Sequence, residues 1–458
     1  MWCPDSKGLL RVSDGVWLCD LRTGEQKKLT TGEQPESCPS WSPDGRRFVF
    51  RQGNQVAFYD MATFSTVAFP VPGVVYASAP QLAWSPDGTR VAAAFRRTDA
   101  AGRPGRRGLD VAVLSIDGQI HWATDTPGTV ANPQWVDDER LLITRHDETF
   151  TTAEHVQVHV PTGEERQLFV EREPKGLLQG DVEGVDVYKP ILSPDHKEAI
   201  LIHPVEGWKH LHLLDLQTDA LRQLTYGECE DSSPVWSPDG RYVACLSNGH
   251  PSLASLDVWV LEKETGQSRP LASMPGAKAE LTWSPDGHNL SFLHAGPCEP
   301  PGLWVGQVAN LSYKRLIPDR LPGDVWVHNV PPQQVWIEAS DGYRTPGLLY
   351  TRPETRDQPA IIWLHGGPGM QYYLGWPTDY GSCIQHAFFQ LLVQAGYTVL
   401  YLNYRGSTGY GMEHEQGNYK KIGARRSHAA ARPVSSRHRH RGDGRHIGVA
   451  RAWLRFLG

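Results

Sequence analysis

The sequence predicts a β plus α/β fold class: a seven-bladed β-propeller followed by a segment of α/β architecture. A five-residue phrase recurs seven times in the first 317 residues. Its copies are separated by 39, 43, 51, 57, 44 and 47 residues, the range of one four-stranded propeller blade. Beyond a proline-rich stretch, the pattern changes to strand, helix and strand, which indicates parallel pairing.

The recurring phrase has the chemistry of a tight turn. Its copies are WSPDG at 41–45, 84–88, 236–240 and 283–287, and the degenerate forms WCPDS at 2–6, WVDDE at 135–139 and LSPDH at 192–196. Proline favours the first central position of a turn, aspartate caps the turn backbone, and glycine accepts positive φ. An apolar strand and then a β-hairpin follow the copies, as in LHLLDLQTDALRQLT at 211–225. A large β-sandwich with similar turns is the alternative, but seven in-register copies favour the propeller, with each tryptophan packed between blades.

The predicted organisation has four parts. The propeller spans 1–317, a proline-rich linker spans 318–332, the α/β segment spans 333–423, and a basic segment spans 424–458. Within the α/β segment the patterns predict two antiparallel strands in 334–353 around a Ser-Asp-Gly turn and a buried strand in 359–369. A helix around 383–397 and a second buried strand in 398–411 follow. Strand, helix and strand at this spacing form a βαβ unit.

Composition and charge narrow the functional classes. Neither an amino-terminal signal peptide nor an apolar run of transmembrane length is expected. The seven cysteines are scattered without C-x-x-C spacing, which favours a reduced cytoplasmic compartment and gives no indication of Cys/His metal ligation. Residues 424–458 hold nine arginines and one aspartate, a charge of +8. Because the net charge of the whole chain is −6, residues 1–423 carry a charge of −14. An acidic body is a poor nucleic-acid binder.

Two motifs in the last third carry a family resemblance. HGGPG at 365–369 ends a predicted strand, and NYRGSTGYG at 403–411 follows the next one. Together with the WSPDG repeats, over roughly residues 1–420, they resemble the prolyl oligopeptidase family of serine peptidases, most of all its acylaminoacyl-peptidase branch. The resemblance implies a propeller with an α/β-hydrolase domain, short peptides as substrates, and no metal or organic cofactor. It leaves the oligomeric state and the finer specificity open.

The resemblance also implies roles for particular residues. His365, Gly366 and Gly367 correspond to a turn that helps to build an oxyanion hole from backbone N–H groups. In that fold the serine, the acid and the base all follow this turn, so we expect a structural hydrogen bond from His365. Arg405 either holds a substrate carbonyl or carboxylate or pins a loop by an ion pair. Tyr404 is a further candidate for substrate contact, with a packing role as the alternative.

The chemistry that this family needs is absent from the sequence. A nucleophile elbow has the pattern G-x-S-x-G, yet no serine here has glycine at both −2 and +2. Arg405 precedes Ser407 by two positions, and Tyr380 precedes Ser382. Ser427 and His428 are adjacent and lack strand context, so they do not form a substitute triad with Asp443. We therefore expect no catalytic serine, acid or base, and no peptidase activity.

The segment after Gly423 has three possible explanations. It could be a basic tail for nucleic acid or membrane, a family variant, or a frameshifted stretch, and the abrupt change to Arg/His-rich text favours the frameshift. The leading hypothesis is a truncated peptidase whose full-length parent hydrolyses short or N-acylated peptides, with no nucleic-acid or membrane partner. The alternatives are a non-catalytic propeller that binds a protein or peptide and, among enzymes, a dipeptidyl aminopeptidase or oligopeptidase.

Overall fold

The structure is a computed structural model that describes most of the chain before residue 419. The described residues are 3, 8–20, 23–31, 33–75, 82–98, 108–125, 128–172, 189–249, 252–316, 329–352, 358–366, 369–378 and 380–418. They form two compact units, one made of Met1–Leu201 with Leu214–Leu221 and the other of Ile202–Leu213 with Arg222–Gly458. The boundaries predicted at 317, 332 and 423 stay predictions. Most of the linker 318–332 and the whole basic segment 424–458 lie outside the described residues.

Four antiparallel sheets follow one another in the first unit. Their strands are β1 (Gly8–Val12), β2 (Val16–Asp20) and β3 (Gln26–Lys28); β4 (Glu36–Trp41), β5 (Arg47–Gln52), β6 (Gln55–Asp60) and β7 (Ser65–Pro70); β8 (Val74–Val75), β9 (Ala83–Trp84), β10 (Arg90–Arg97), β11 (Asp110–Ser115) and β12 (Ile120–Trp122); and β13 (Thr129–Trp135), β14 (Arg140–His146), β15 (Thr152–His159) and β16 (Glu164–Arg172). Their central strands are apolar and buried, and neighbouring sheets share hydrophobic clusters.

Three more antiparallel sheets continue the series. They contain β17 (Ile191–Leu192), β18 (Glu198–Val205), β19 (Trp208–Asp215) and β20 (Leu221–Gln223); β21 (Asp231–Trp236), β22 (Tyr242–Ser247), β23 (Asp257–Glu262) and β24 (Ser268–Ala272); and β25 (Ala277–Trp283), β26 (Asn289–Ala295), β27 (Gly302–Gln307) and β28 (Ser312–Arg315). The division between the two units passes through the first of these sheets. The described residues thus contain one antiparallel sheet for each predicted repeat.

Six copies of the repeated phrase form the turn between two paired strands of a sheet, and the copy at 2–6 lies almost wholly outside the described residues. In the copy at 41–45, the Ser42 hydroxyl lies 2.6 Å from Asp44 Oδ1 and accepts the Arg47 N–H at 3.0 Å. Gly45 closes the turn at φ 68°, and the three other WSPDG glycines have φ of 68–71°. In LSPDH, His196 takes this position with φ 56°. The phrase therefore encodes a self-contained turn that needs a left-handed residue at its end.

The repeated tryptophans link successive sheets. Trp84 Nε1 donates to the Ser40 carbonyl at 2.9 Å, and Trp135 Nε1 donates to the Ala83 carbonyl at the same distance. Trp283 Nε1 donates to the Val235 carbonyl at 3.1 Å. The acceptors lie on β4, β9 and β21, each in the preceding sheet. The tryptophans thus join apolar packing to one specific hydrogen bond.

The α/β segment forms a mixed four-stranded sheet. It contains β29 (Gln333–Glu338), β30 (Arg344–Tyr350), β31 (Ala360–Leu364) and β32 (Thr398–Leu402), in the order β29-β30-β32-β31. Only the β31–β32 pair is parallel, and helix α1 (Tyr380–Gln394) connects its strands. The antiparallel pair predicted in 334–353 and the βαβ unit are confirmed.

Three predicted elements differ from the structure. The first buried strand was expected over 359–369, but β31 ends at Leu364 and lies at the edge of the sheet, where Ile362 and Leu364 are 45% and 39% exposed. The second buried strand was expected over 398–411 but ends at Leu402, because three glycines between 406 and 411 adopt positive φ and turn the chain. Helix α1 begins at Tyr380, three residues before the predicted start, and the chain leaves it at Gly396 with φ 91°. A short helix α2 (Met412–Glu415) follows the glycine-rich loop.

The described helices are too short or too polar to cross a membrane. A cytoplasmic location stays a prediction.

Candidate active site

The predicted oxyanion-hole turn begins where β31 ends. His365 follows Leu364 directly, and its side chain is buried, with 4% of its surface exposed. No heavy atom of the described residues lies within 4 Å of the place where a Cβ on Gly366 would point. Gly367 lies outside the described residues, so its part of the turn stays a prediction. The described half of the turn combines a fixed histidine with a glycine that faces open space.

Two residues of the glycine-rich loop fix His365. Its Nε2 lies 2.9 Å from Ser407 Oγ, and its carbonyl accepts the Tyr404 hydroxyl at 2.7 Å. The rings of His365 and Tyr404 stack with their centroids 4.5 Å apart. His365 Nδ1 lies 2.9 Å from the carbonyl of Gly366, an acceptor, which favours a proton on that nitrogen. These contacts support the predicted structural hydrogen bond.

The Ser407–His365 pair has the composition of a nucleophile and its base, but Ser407 is enclosed. Its side chain has no exposed surface, and its hydroxyl also lies 2.6 Å from the Tyr404 carbonyl. A nucleophile has to reach a substrate carbonyl, which a fully enclosed hydroxyl does not do. The pair therefore holds β31 and the loop together. Tyr404 is 1% exposed, and its hydroxyl donates to the His365 carbonyl, which also joins the loop to the end of β31.

Arg405 is buried and forms an ion pair. Its Nη1 donates to Asp341 Oδ2 at 2.6 Å, and its guanidinium lies 4.8 Å from the Tyr343 ring centroid. The Arg405 hydrogen bond holds the pKa of the Asp341 carboxyl below its usual value. Among the described residues, Arg405 Nε and Nη2 have no hydrogen-bond partner. The ion pair with Asp341 agrees with the predicted role of Arg405 in pinning a loop. Contact of Nε or Nη2 with a substrate stays a prediction.

The loop between Asn403 and Met412 depends on glycine. Gly406, Gly409 and Gly411 have φ of 109°, 87° and 83°, which side chains rarely adopt. A Cβ on Gly409 would also overlap Gln371 Oε1. The sequence GSTGYG is therefore a backbone requirement of this loop, independent of any contact with substrate.

Glu230 holds this loop from a distant part of the chain. Its carboxylate accepts the N–H groups of Gly409 and Gly411, each at 3.0 Å, across 179 and 181 residues of sequence. Glu230 is 8% exposed, and burial raises its pKa above the usual value. Asn248 Nδ2 donates to the Gly409 carbonyl at 2.8 Å. Sequence reasoning missed Glu230, since a single acidic residue before a strand is ordinary.

We call the contact of the Glu230 carboxylate with the N–H groups of Gly409 and Gly411 the Glu230 clasp. A buried ion pair lies beside this clasp. Lys209 Nζ donates to Glu415 Oε2 at 2.6 Å, and both side chains are at least 90% buried. The charge of Lys209 lowers the pKa of Glu230, and the charge of Glu415 raises it. The Met412 N–H donates to the Gly207 carbonyl at 2.8 Å, so the hairpin before β19 also fixes the loop.

His414 binds the backbone at the start of the loop as a neutral side chain. Its Nε2 lies 3.1 Å from the Asn403 carbonyl and 3.0 Å from the Tyr404 carbonyl, so this nitrogen donates. Its Nδ1 lies 3.0 Å from the Tyr343 hydroxyl, which can donate to it. Burial lowers the pKa of His414 to about 4. The neutral ring thus satisfies both ends of its hydrogen-bonding capacity.

Comparison with known proteins places these features in context. No family model matches the chain. The uncharacterized peptidase YuxL of Bacillus subtilis is 24% identical over 457 residues, which cover 88% of this chain and 66% of that protein. The acylamino-acid-releasing enzyme of Sus scrofa is 24% identical over 331 residues, covering 65% of this chain and 41% of the enzyme. This chain is thus similar in sequence to peptidases, among them acylamino-acid-releasing enzymes. It spans about two thirds or less of the curated relatives' length.

Solved structures show the same fold at low identity. The dipeptidyl peptidase 4 of Porphyromonas gingivalis has a TM-score of 0.75 and 13% identity, over 93% of this chain and 67% of its own. A puromycin-hydrolyzing peptidase of Mycobacterium tuberculosis has a TM-score of 0.69 and 17% identity, over 92% and 68%. The acylaminoacyl peptidase of Pyrococcus horikoshii has a TM-score of 0.56 and 16% identity, over 89% and 64%. The predicted fold class, propeller blades followed by part of an α/β-hydrolase domain, is confirmed.

Proposed function

We propose that this chain carries the propeller blades and the first part of the catalytic domain of a serine peptidase that acts on short or N-acylated peptides. The observation that carries the proposal is the buried support of the turn at 365–366. Ser407 and Tyr404 fix His365 at the end of β31, beside a glycine that faces open space. The peptidase names of relatives that match most of the chain support the same conclusion.

The proposed role of the turn is electrostatic. Backbone N–H groups held in place before the reaction stabilise the negative charge of a tetrahedral oxyanion. Hydrogen bonds hold both the ring and the carbonyl of His365. We propose that they fix the position from which the backbone of the turn continues. The Glu230 clasp holds the backbone of the loop that contains Tyr404 and Ser407, the two residues that contact His365.

We expect that the chain by itself forms no acyl-enzyme. The sequence contains no G-x-S-x-G elbow, and the hydroxyl of Ser407, the serine beside a histidine, is enclosed. The purified chain is therefore expected to leave acetyl-Ala-p-nitroanilide intact. Hydrolysis that survives Ser407→Ala would show that another nucleophile exists, and hydrolysis that this variant abolishes would give Ser407 the role that its burial argues against.

A chimera tests the peptidase function directly. Residues 1–418 of this chain would be joined to the remaining carboxyl-terminal part of the Bacillus subtilis relative. We expect release of p-nitroaniline from acetyl-Ala-p-nitroanilide by the chimera and none from the chain alone. Faster release from Ala-Ala-p-nitroanilide, which has a free amino terminus, would favour a dipeptidyl aminopeptidase. A folded chimera without activity on either substrate would favour the non-catalytic binding module.

A further inference from the structure

Three side chains of metal-binding type meet beside the Glu230 clasp. His210 lies on β19, Cys229 lies in the segment between β20 and β21, and Asp231 is the first residue of β21. One potential ligand atom from each lies within 4.8 Å of the other two. His210 and Asp231 are 2% and 4% exposed, and Cys229 is partly exposed. A buried pair with one accessible thiol leaves a path from solvent to the group.

The geometry of the buried pair is close to that of two ligands on one ion. His210 Nδ1 lies 3.1 Å from Asp231 Oδ2. Nitrogen and oxygen ligands about 2.1 Å from a tetrahedral zinc ion are separated by about 3.4 Å. A small outward movement of either side chain would admit the ion between them.

The outer contacts of the group also match a metal site. His210 Nε2 lies 3.0 Å from the Gly227 carbonyl and donates to it, and Nδ1 contacts Asp231 Oδ2, so an ion bound by Nδ1 would replace the contact between Nδ1 and the carboxylate. Histidine ligands commonly make this second contact, which fixes the orientation of the ring. The Thr225 hydroxyl donates to Asp231 Oδ2 at 2.5 Å, as expected for a ligating carboxylate that is itself hydrogen-bonded.

Two glycines at positive φ lie close to Cys229. Gly227 has φ 112°, and a Cβ there would lie 3.9 Å from Cys229 Sγ. Gly249 has φ 99°, and a Cβ there would lie 2.8 Å from Cys229 Cβ. The thiol lies 3.7 Å from the Tyr226 carbonyl and is also hydrogen-bonded to the side chain of Ser247, so a bound ion would have to replace these two contacts.

We propose that His210, Cys229 and Asp231 form a zinc site that anchors the segment carrying Glu230. One sulfur, one nitrogen and one oxygen ligand suit zinc better than the harder magnesium or calcium ions, and a fourth position remains for water. Glu230 lies between two of the ligands in sequence and accepts the N–H groups of Gly409 and Gly411. Zinc would therefore fix the backbone from which the loop is held.

The test uses the purified full-length chain after treatment with a chelator and dialysis. Zinc is titrated against a competing chromophoric chelator, and cobalt is titrated while absorbance is recorded. We expect one tight equivalent of zinc and a sulfur-to-cobalt charge-transfer band. Histidines elsewhere in the chain can bind cobalt, but they give no sulfur band.

Variants assign the site. Cys229→Ser is expected to abolish the sulfur band and to weaken zinc binding at least about tenfold, the lower end of the loss seen even for outer contacts. His210→Gln is expected to weaken zinc binding similarly. Cys298→Ser is the matched control, because this partly buried thiol also contacts a backbone carbonyl, that of Asn329, at 3.6 Å. The proposal is wrong if wild type shows no sulfur band, or if Cys229→Ser retains both the band and the wild-type zinc affinity.

Discussion

The WSPDG turns and the loop from Asn403 to Met412 both place glycine at positive φ, but different parts of the chain hold them. In the turn at Ser237, the serine, the aspartate and the next strand supply all the described contacts within five residues of one another. In the loop, Glu230 supplies an acceptor from 179 residues away. The difference teaches that similar glycine patterns report a local turn in one place and a long-range contact in the other.

The largest expected effect comes from removing the distant acceptor. Glu230→Ala leaves the buried N–H groups of Gly409 and Gly411 without their acceptor. Buried unsatisfied donors cost about 1–3 kcal/mol each, so we expect a loss of about 2–5 kcal/mol in the free energy of unfolding. Urea denaturation followed by circular dichroism measures it. Glu264→Ala, at an exposed carboxylate, is the control. Equal losses in the two variants would show that the clasp contributes no stability.

Acidification should weaken the support of the loop before the pH reaches the ordinary range of carboxyl groups. The folded-state pKa of His414 is lowered by burial from 6.5 to about 4, so the unfolded chain binds more protons between these values. The stability that the neutral ring contributes is complete above pH 6.5 and falls as the pH drops toward 4, by on the order of 3 kcal/mol.

The measurement is the urea midpoint as a function of pH. His414→Gln should flatten the decline between pH 6.5 and 4, whereas substitution of the exposed His288 by Gln should leave it unchanged. An unchanged pH profile in His414→Gln would contradict the assignment.

Glycine replacement compares two backbone positions that both have positive φ, 68° at Gly88 and 87° at Gly409. Asparagine tolerates positive φ, and a Cβ on Gly88, at φ 68° in a WSPDG turn, would lie 3.7 Å from Pro43 Cδ, an ordinary van der Waals contact. Gly88→Asn should therefore cost less than about 1 kcal/mol. Gly409→Asn adds a side chain that overlaps Gln371, and we expect a loss of about 1–3 kcal/mol. Thermal denaturation of both variants checks the order. If Gly88→Asn were the more harmful change, the turns would be the stricter sites.

The smallest effect is expected for one hydroxyl of a turn. Ser237→Ala removes the acceptor of the Tyr242 N–H and the donor to Asp239. Because the aspartate and the turn backbone remain, we expect a loss of about 1 kcal/mol in the free energy of unfolding, measured by urea denaturation. A loss as large as that of Glu230→Ala would mean that the turn is not locally redundant.

The repeats and the βαβ unit could be predicted from sequence because their determinants are close together. WSPDG specifies its own turn, and the alternating residues after it specify the strands. The role of His365 in holding the loop could be anticipated only as a hydrogen bond of unspecified partner. Ser407 as that partner, Glu230 as the clasp, and the group formed by His210, Cys229 and Asp231 depend on contacts between distant segments, which no local pattern encodes.

The clasp at Glu230 also limits the modularity of this chain. A fragment that begins at the mixed sheet contains Gly409 and Gly411 but omits the carboxylate that accepts their N–H groups. Recombination between relatives at the apparent border after the last blade would then transplant a loop without its acceptor, unless both parents carry an equivalent one. A viable crossover has to fall before Glu230 or after Gly411, so the unit that evolution or an engineer can exchange is larger than the domain suggested by the architecture.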